Sequence, residues 1–148
     1  MALTETLRQQ HSAILLHVSV IQSASERGNR VQLQQELEKL GRALVAHLTT
    51  EDTHLYPEFE RLAVENGSEN LAVVARQFAN SMSRITAALL AFLSKYEKSI
   101  SNLAVFRQDW SHVAAALSSR ISTEEGRLYS LYERALLESQ NREAAQVG

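Results

Sequence analysis

The chain has 148 residues, a formal net charge of −2, 45% apolar and 22% charged residues and no cysteine. That size suits one domain with a real core, and that balance argues against disorder, a nucleic-acid partner, disulfides, thiolate metal sites and a Cys nucleophile. Met1-Ala2-Leu3-Thr4-Glu5 is unlike a signal peptide, and apolar stretches such as Ala87 to Leu93 are too short to span a bilayer, so a cytoplasmic protein is expected.

One Pro and five Gly leave few places to turn, so long helices are the natural reading. The first apolar-periodic stretch uses Leu7, His11, Ile14, Leu15, Val18 and Ile21, spaced three and four apart. Thr4 is the expected N-cap, and Ser25-Glu26-Arg27-Gly28 the expected close, with Gly28 in the left-handed position. A second stripe runs through Leu33, Leu37, Leu40, Leu44, His47, Glu51, Leu55 and Phe59 and ends near Asn66-Gly67. Pro57 lies inside it and predicts a kink or local break.

Ser68 is placed to cap a third helix, with its stripe on Leu71, Val74, Phe78, Met82, Ile85, Leu89 and Phe92. The fourth starts at Ser101 or Asn102 and runs through Phe106, Trp110, Val113, Leu117, Ile121, Glu124, Leu128, Leu131 and Ala135. From about Gln140 the chain turns polar and small, so the expected division is a bundle over 1–139 and a flexible tail over 140–148. Four long helices with short connections predict an all-α, up-down-up-down four-helix bundle.

The second and fourth helices repeat each other. Ala43 matches Ala116, Leu44 matches Leu117, Glu51 matches Glu124, Asp52 matches Glu125, Leu55 matches Leu128, Tyr56 matches Tyr129 and Phe59 matches Tyr132. The first and third match more weakly, Leu7 with Phe78, Ile14 with Ile85, Val18 with Leu89 and Ile21 with Phe92. The bundle therefore reads as two pseudo-repeated helical hairpins.

Four polar residues sit on stripes that predict core: His11, His47, Glu51 and Glu124. His47 and Glu51 are four apart, so they share a face one turn separated. A carboxylate buried alone costs several kcal/mol or becomes protonated, so this convergence demands a cation or another partner. Facing helices of a bundle supply Glu and His ligands in this manner.

The run Ala46-His47-Leu48-Thr49-Thr50-Glu51-Asp52-Thr53-His54-Leu55-Tyr56-Pro57 resembles the His-x-x-x-Glu-acid-x-x-Leu-aromatic-Pro segment of hemerythrin-like, or HHE cation-binding, domains. Leu7-Arg8-Gln9-Gln10-His11 is similar to the family's first histidine segment, and Thr123-Glu124-Glu125-Gly126-Arg127-Leu128-Tyr129 to its fourth-helix segment. Members hold two non-haem irons between the four helices, bridged by carboxylates and capped by histidines, and bind or respond to oxygen. The resemblance implies His11 and His47 as ligands of one metal, with Glu51 and Glu124 as bridging carboxylates.

The second half departs from the pattern. Arg120 stands where the repeat pairs with His47, and Met82 (Ser81 is one residue off) where it pairs with His11. The third-helix histidines of the family are absent. Two physical pictures follow. A single Fe, Mn or Zn ion sits among His11, His47, Glu51 and Glu124, or Arg120 replaces metal and bonds bidentately to Glu51 or Glu124.

The remaining polar residues are read blandly. His17 and His112 are expected at the surface. His54 lies near the stripe of His47 and is placed in the surroundings of the site. Tyr56 and Tyr129 are assigned there too, rings buried and hydroxyls wet. Asp52 and Glu125 are expected to face solvent, and Glu36 to Arg42 to form a solvated face. No nucleophile elbow or phosphate loop is visible, so no enzyme is expected. The reading is an iron-binding module for oxygen or redox sensing, oxygen binding or iron handling, with a small gas or redox ligand and a second copy of the chain as its conceivable partners. Its alternative is a metal-free bundle acting as a regulatory or interaction module.

Overall fold

The computed structural model describes residues 2–147. Helix α1 spans Leu3–Arg27 and α2 Arg30–Thr50; after a π turn over Glu51–Leu55, α3 covers Tyr56–Glu65. Helix α4 spans Glu69–Tyr96 and α5 Leu103–Thr123; a second π turn over Glu124–Leu128 leads into α6, Tyr129–Val147. Because α2 and α3 are one interrupted helix, and α5 and α6 another, four long helices run up, down, up and down as expected. Among the described residues there is no strand, and no helix is long and apolar enough to cross a membrane.

The connections follow local chemistry. Gly28 closes α1 at φ 67°, and its N–H bonds back to the Ser25 carbonyl. Asn29, Ser68 and Asn102 cap α2, α4 and α5, each side chain accepting from a backbone N–H three residues on. Thr4 is not a cap: α1 begins two residues earlier than a Thr4 cap would place it, with Ala2 at the cap position, and Thr4 is buried in the first turn. Helix α6 continues past Gln140 to Val147, and Arg142 reaches back to the Glu65 carbonyl and Asn66 Oδ1.

The apolar stripes build two cores. One gathers Ile14, Leu44, Leu117 and Ile121 with an aromatic group of Phe92, Tyr96, Phe106 and Trp110. The other gathers Leu7, Leu55, Phe59, Phe78, Leu128 and Tyr132. Leu15 was read on the stripe but is 40% exposed, one step past the buried Ile14. The charged stretch from Glu36 is not wholly solvated: Glu36 is buried, and its Oε1 lies 2.9 Å from His17 Nδ1 on α1. His112 is exposed, as expected.

Both π turns fall at the Glu-acid-x-x-Leu-Tyr repeat. In each, a tyrosine N–H bonds to the glutamate carbonyl five residues back, Tyr56 to Glu51 and Tyr129 to Glu124. Pro57 sits in the first turn of α3 and accounts for a break in that helix, since it lacks an N–H. The second π turn forms with no proline, so proline is not the shared cause. Glu51 and Leu55, like Glu124 and Leu128, are four apart and buried, and the wider turn keeps the next step, Phe59 or Tyr132, in the same core.

Candidate metal centre

The polar cluster lies where His11 of α1, His47 of α2 and the two π-turn glutamates meet between the two apolar cores. All four are buried, at 2% exposure or less. His11 Nε2 is 3.0 Å from His47 Nε2 and 3.4 Å from Glu124 Oε2. His47 Nε2 is 3.6 Å from Glu124 Oε2 and 3.3 Å from Glu51 Oε1. Of the four candidates, His11, His47 and Glu124 present one donor atom each within 4.8 Å of one another.

Those spacings suit an ion. Donors about 2.1 Å from a metal stand about 3.0 Å apart at right angles and about 3.4 Å apart at tetrahedral angles. Three edges of 3.0, 3.4 and 3.6 Å are therefore those of a coordination shell. Two imidazoles and one carboxylate form the donor set that non-haem iron and catalytic zinc use. His47 Nδ1 is 2.7 Å from Gln10 Oε1, which accepts its N–H and aims Nε2 at the cluster. Sequence reasoning missed Gln10; its position next to His11, one turn from α2, was the only signal.

Arg120 occupies the other side. Its Nε donates to Glu124 Oε1 at 2.7 Å and its Nη2 to Glu51 Oε1 at 3.1 Å. Nη1 donates to the Met82 carbonyl and to Thr86 Oγ1. The guanidinium thus bridges both carboxylates with one bond each, rather than gripping one bidentately as the sequence suggested. Met82 contributes its backbone, while its side chain packs in the apolar core with Phe78.

Tyr129 corrects the expectation of a wet hydroxyl. The residue is fully buried, and its Oη lies 2.8 Å from Glu124 Oε2, 3.1 Å from Glu51 Oε2 and 3.2 Å from His11 Nε2. Its repeat partner Tyr56 has an enclosed hydroxyl with no hydrogen-bond partner among the described residues. His54, placed near the site from its spacing to His47, is exposed. In the π turn that begins at Glu51 the neighbouring Leu55, four from Glu51 and on the expected stripe, holds the buried position. Glu125, expected in solvent, is only half exposed and places Oε2 3.6 Å from His11 Nδ1. That distance is too long for a hydrogen bond, and the buried Nδ1 has no other partner among the described residues. Asp52 is exposed, as expected.

The electrostatics follow from burial and neighbours. Burial alone would lower His47, but Glu124 and Glu51 outweigh it and hold the imidazole up at about 9. Glu51 is pushed up, by burial first, against the pull of His47. Glu124 goes the other way: burial raises it, yet bonds with His11, His47 and Glu51 and the Arg120 charge drive it far below the carboxylate range. Tyr129 is pushed well above the usual phenol range by burial and then by the two carboxylates. Glu124 is thus the committed anion of the cluster.

A void of about 10 Å³ adjoins His11, His47, Arg120 and Glu124 and is otherwise walled by aliphatic side chains including Leu44 and Leu89. That is room for about one water. The family model of the hemerythrin HHE cation binding domain matches residues 2–132. No curated protein and no solved structure matches the chain. With the match running across both helical hairpins, over residues 2–132, the chain belongs to the hemerythrin HHE cation-binding domain family.

Proposed function

We propose that the protein is a non-enzymatic cytoplasmic cation-binding module that holds one ion, iron foremost, at His11 Nε2, His47 Nε2 and Glu124 Oε2. The observation that carries this reading is the buried set of three donors at coordination-shell spacing. Arg120 stands in for a second metal: it engages Oε1 of both Glu51 and Glu124, leaving Glu124 Oε2 to the histidines and Tyr129, while Glu51 Oε1 is shared with His47 and Glu51 Oε2 faces Tyr129. A bound iron would supply an open coordination position for a diatomic or redox ligand. The protein's own share is orientation and exclusion. Gln10 fixes the His47 tautomer, Glu125 stands ready to do the same for His11 at Nδ1, and the aliphatic walls keep bulk water out. His47 would bind an ion as the neutral imidazole, so metal uptake would release its proton to solvent. The small void admits nothing larger than water or a gas molecule, which favours sensing, gas binding or iron handling over conversion of an organic substrate.

A second reading has its own support. Glu51 and Glu124 can be neutralised by Arg120 and a protonated His47, so the core is charge-balanced without metal. The bundle would then act through its surface as a regulatory module. Metal content by plasma mass spectrometry on untagged protein, beside His47→Ala, separates the two. About one ion per chain, lost in the variant, is expected; no metal after anaerobic incubation with ferrous iron would refute the metal reading.

A further inference from the structure

We propose that Tyr129 is a ligand of the same ion, its phenolate oxygen completing a four-donor set with His11, His47 and Glu124. This rests on the single-ion reading and extends it to a residue placed until now only in the surroundings of the site. The argument is geometric. Tyr129 Oη stands 2.8 Å from Glu124 Oε2 and 3.2 Å from His11 Nε2, edges as short as those between the other three donors. A phenolic oxygen at these distances lies inside the shell that an ion bound to His11 and Glu124 would have, not behind it.

The surroundings of the hydroxyl point the same way. Oη has Glu51 Oε2, Glu124 Oε2 and His11 Nε2 within 3.2 Å, in a core where Tyr129 has no exposure to solvent. Three metal-ligating atom types crowd one phenolic oxygen, an arrangement that a shared cation would hold together. Coordination by Tyr129 would need no oxidant: the ion would take the place of the hydroxyl proton on Oη, and that proton would leave to solvent past Glu51 Oε2, 3.1 Å away.

The second π turn is what brings Tyr129 here. By bonding its N–H to the Glu124 carbonyl five residues back, Tyr129 shares an inward face with Glu124, which a regular helix would deny two residues five apart. Tyr56, at the matched position, faces the Arg120 half and has no such contact. The two halves therefore differ in their tyrosines as well as in Arg120, and the half with both histidines is the half with the bonded phenol.

The test loads cation-free protein with ferric nitrilotriacetate and reads iron per chain, the visible spectrum and resonance Raman scattering. Expected is a phenolate-to-iron(III) charge-transfer band with enhanced tyrosine ring modes. The band should vanish in Tyr129→Phe and persist in Tyr96→Phe, whose ring lies in the other core. Tyr129→His, which puts a nitrogen donor in place of the phenolic oxygen, should bind iron without the band. Wild-type protein that binds iron through His47 but shows no phenolate band would overturn the Tyr129 assignment and leave the ion site standing. A band that survives in Tyr129→Phe would also overturn it. Wild-type protein that takes up no iron would sink both readings.

Discussion

Replacing Arg120 by Met keeps much of the side-chain volume and removes the one guanidinium in the cluster. The structure sets the cost. Arg120 is 4% exposed and donates to Glu124 Oε1, Glu51 Oε1, the Met82 carbonyl and Thr86 Oγ1. Stripping one partner from a buried ion pair costs about 3–5 kcal/mol, because the other charge stays buried. Here the lower end applies. Burial already pushes Glu51 upward, and His47 remains as a countercharge, so the cluster retains some compensation. The expected loss is about 3 kcal/mol in the presence of a chelator. With a urea m-value of about 2 kcal/mol/M, that lowers the unfolding midpoint by about 1.5 M. Zinc in place of chelator should return part of the loss in the variant by binding the native state. A loss below about 1 kcal/mol would refute the reasoning, since it would mean that Glu51 and Glu124 do not depend on Arg120 for neutrality.

Arg120→His supplies the imidazole that the repeat pairs with His47, and metal content should rise above that of the wild type; unchanged content by mass spectrometry would count against pairing the two hairpins. Glu36 is held below its usual value by its bond to His17 first and by Lys39, against the opposing effect of burial. A lowered carboxylate contributes stability that is present above about 4.5 and lost as pH falls through its folded value, so Glu36→Gln should flatten the acid limb of a urea midpoint profile from pH 6 to 3. An identical slope in the variant would show that the His17 bond carries no linkage. Gly28→Ala should lower stability by about 1 kcal/mol through its positive φ alone, since the added Cβ meets only Leu103 Cδ2 at 3.6 Å; thermal unfolding measures it. Pro57→Ala should change stability by less than about 1 kcal/mol and leave metal content intact, because the proline-free second π turn shows that the distortion does not need proline.

The helices and their partners in the core were legible because apolar spacing is a long-range repetition that survives local irregularity. Leu7, Ile14, Leu44, Phe106 and Leu128 were on the expected stripes and are buried. The caps at Ser68 and Asn102, and the left-handed Gly28, were legible because each rests on a single side chain acting on its own neighbours. The convergence of His11, His47, Glu51 and Glu124 was legible for a different reason: charged and imidazole groups on an apolar stripe have nowhere to go but towards one another.

What the sequence hid was the π turn after each glutamate. Heptad counting carries His47 to His54 as though the turn between them were regular, and so places His54 near the site. Along α2 and its π turn the backbone widens by one residue, so His54 faces solvent while Leu55, on the expected stripe, is buried. The same widening after Glu124 draws the Tyr129 hydroxyl onto two carboxylates and a histidine. Periodicity has no term for such a shift, because the cause is tertiary: successive four-residue steps through Glu51, Leu55 and Phe59, or Glu124, Leu128 and Tyr132, drift around a regular α-helix, and the wider turn keeps all of them on the inward side. The recurrence of Glu-acid-x-x-Leu-Tyr was visible as a repeat, and the structure gives it a physical meaning. Each copy marks where the helix trades one ideal hydrogen bond for a carboxylate in the polar centre and an unbroken apolar core beyond it.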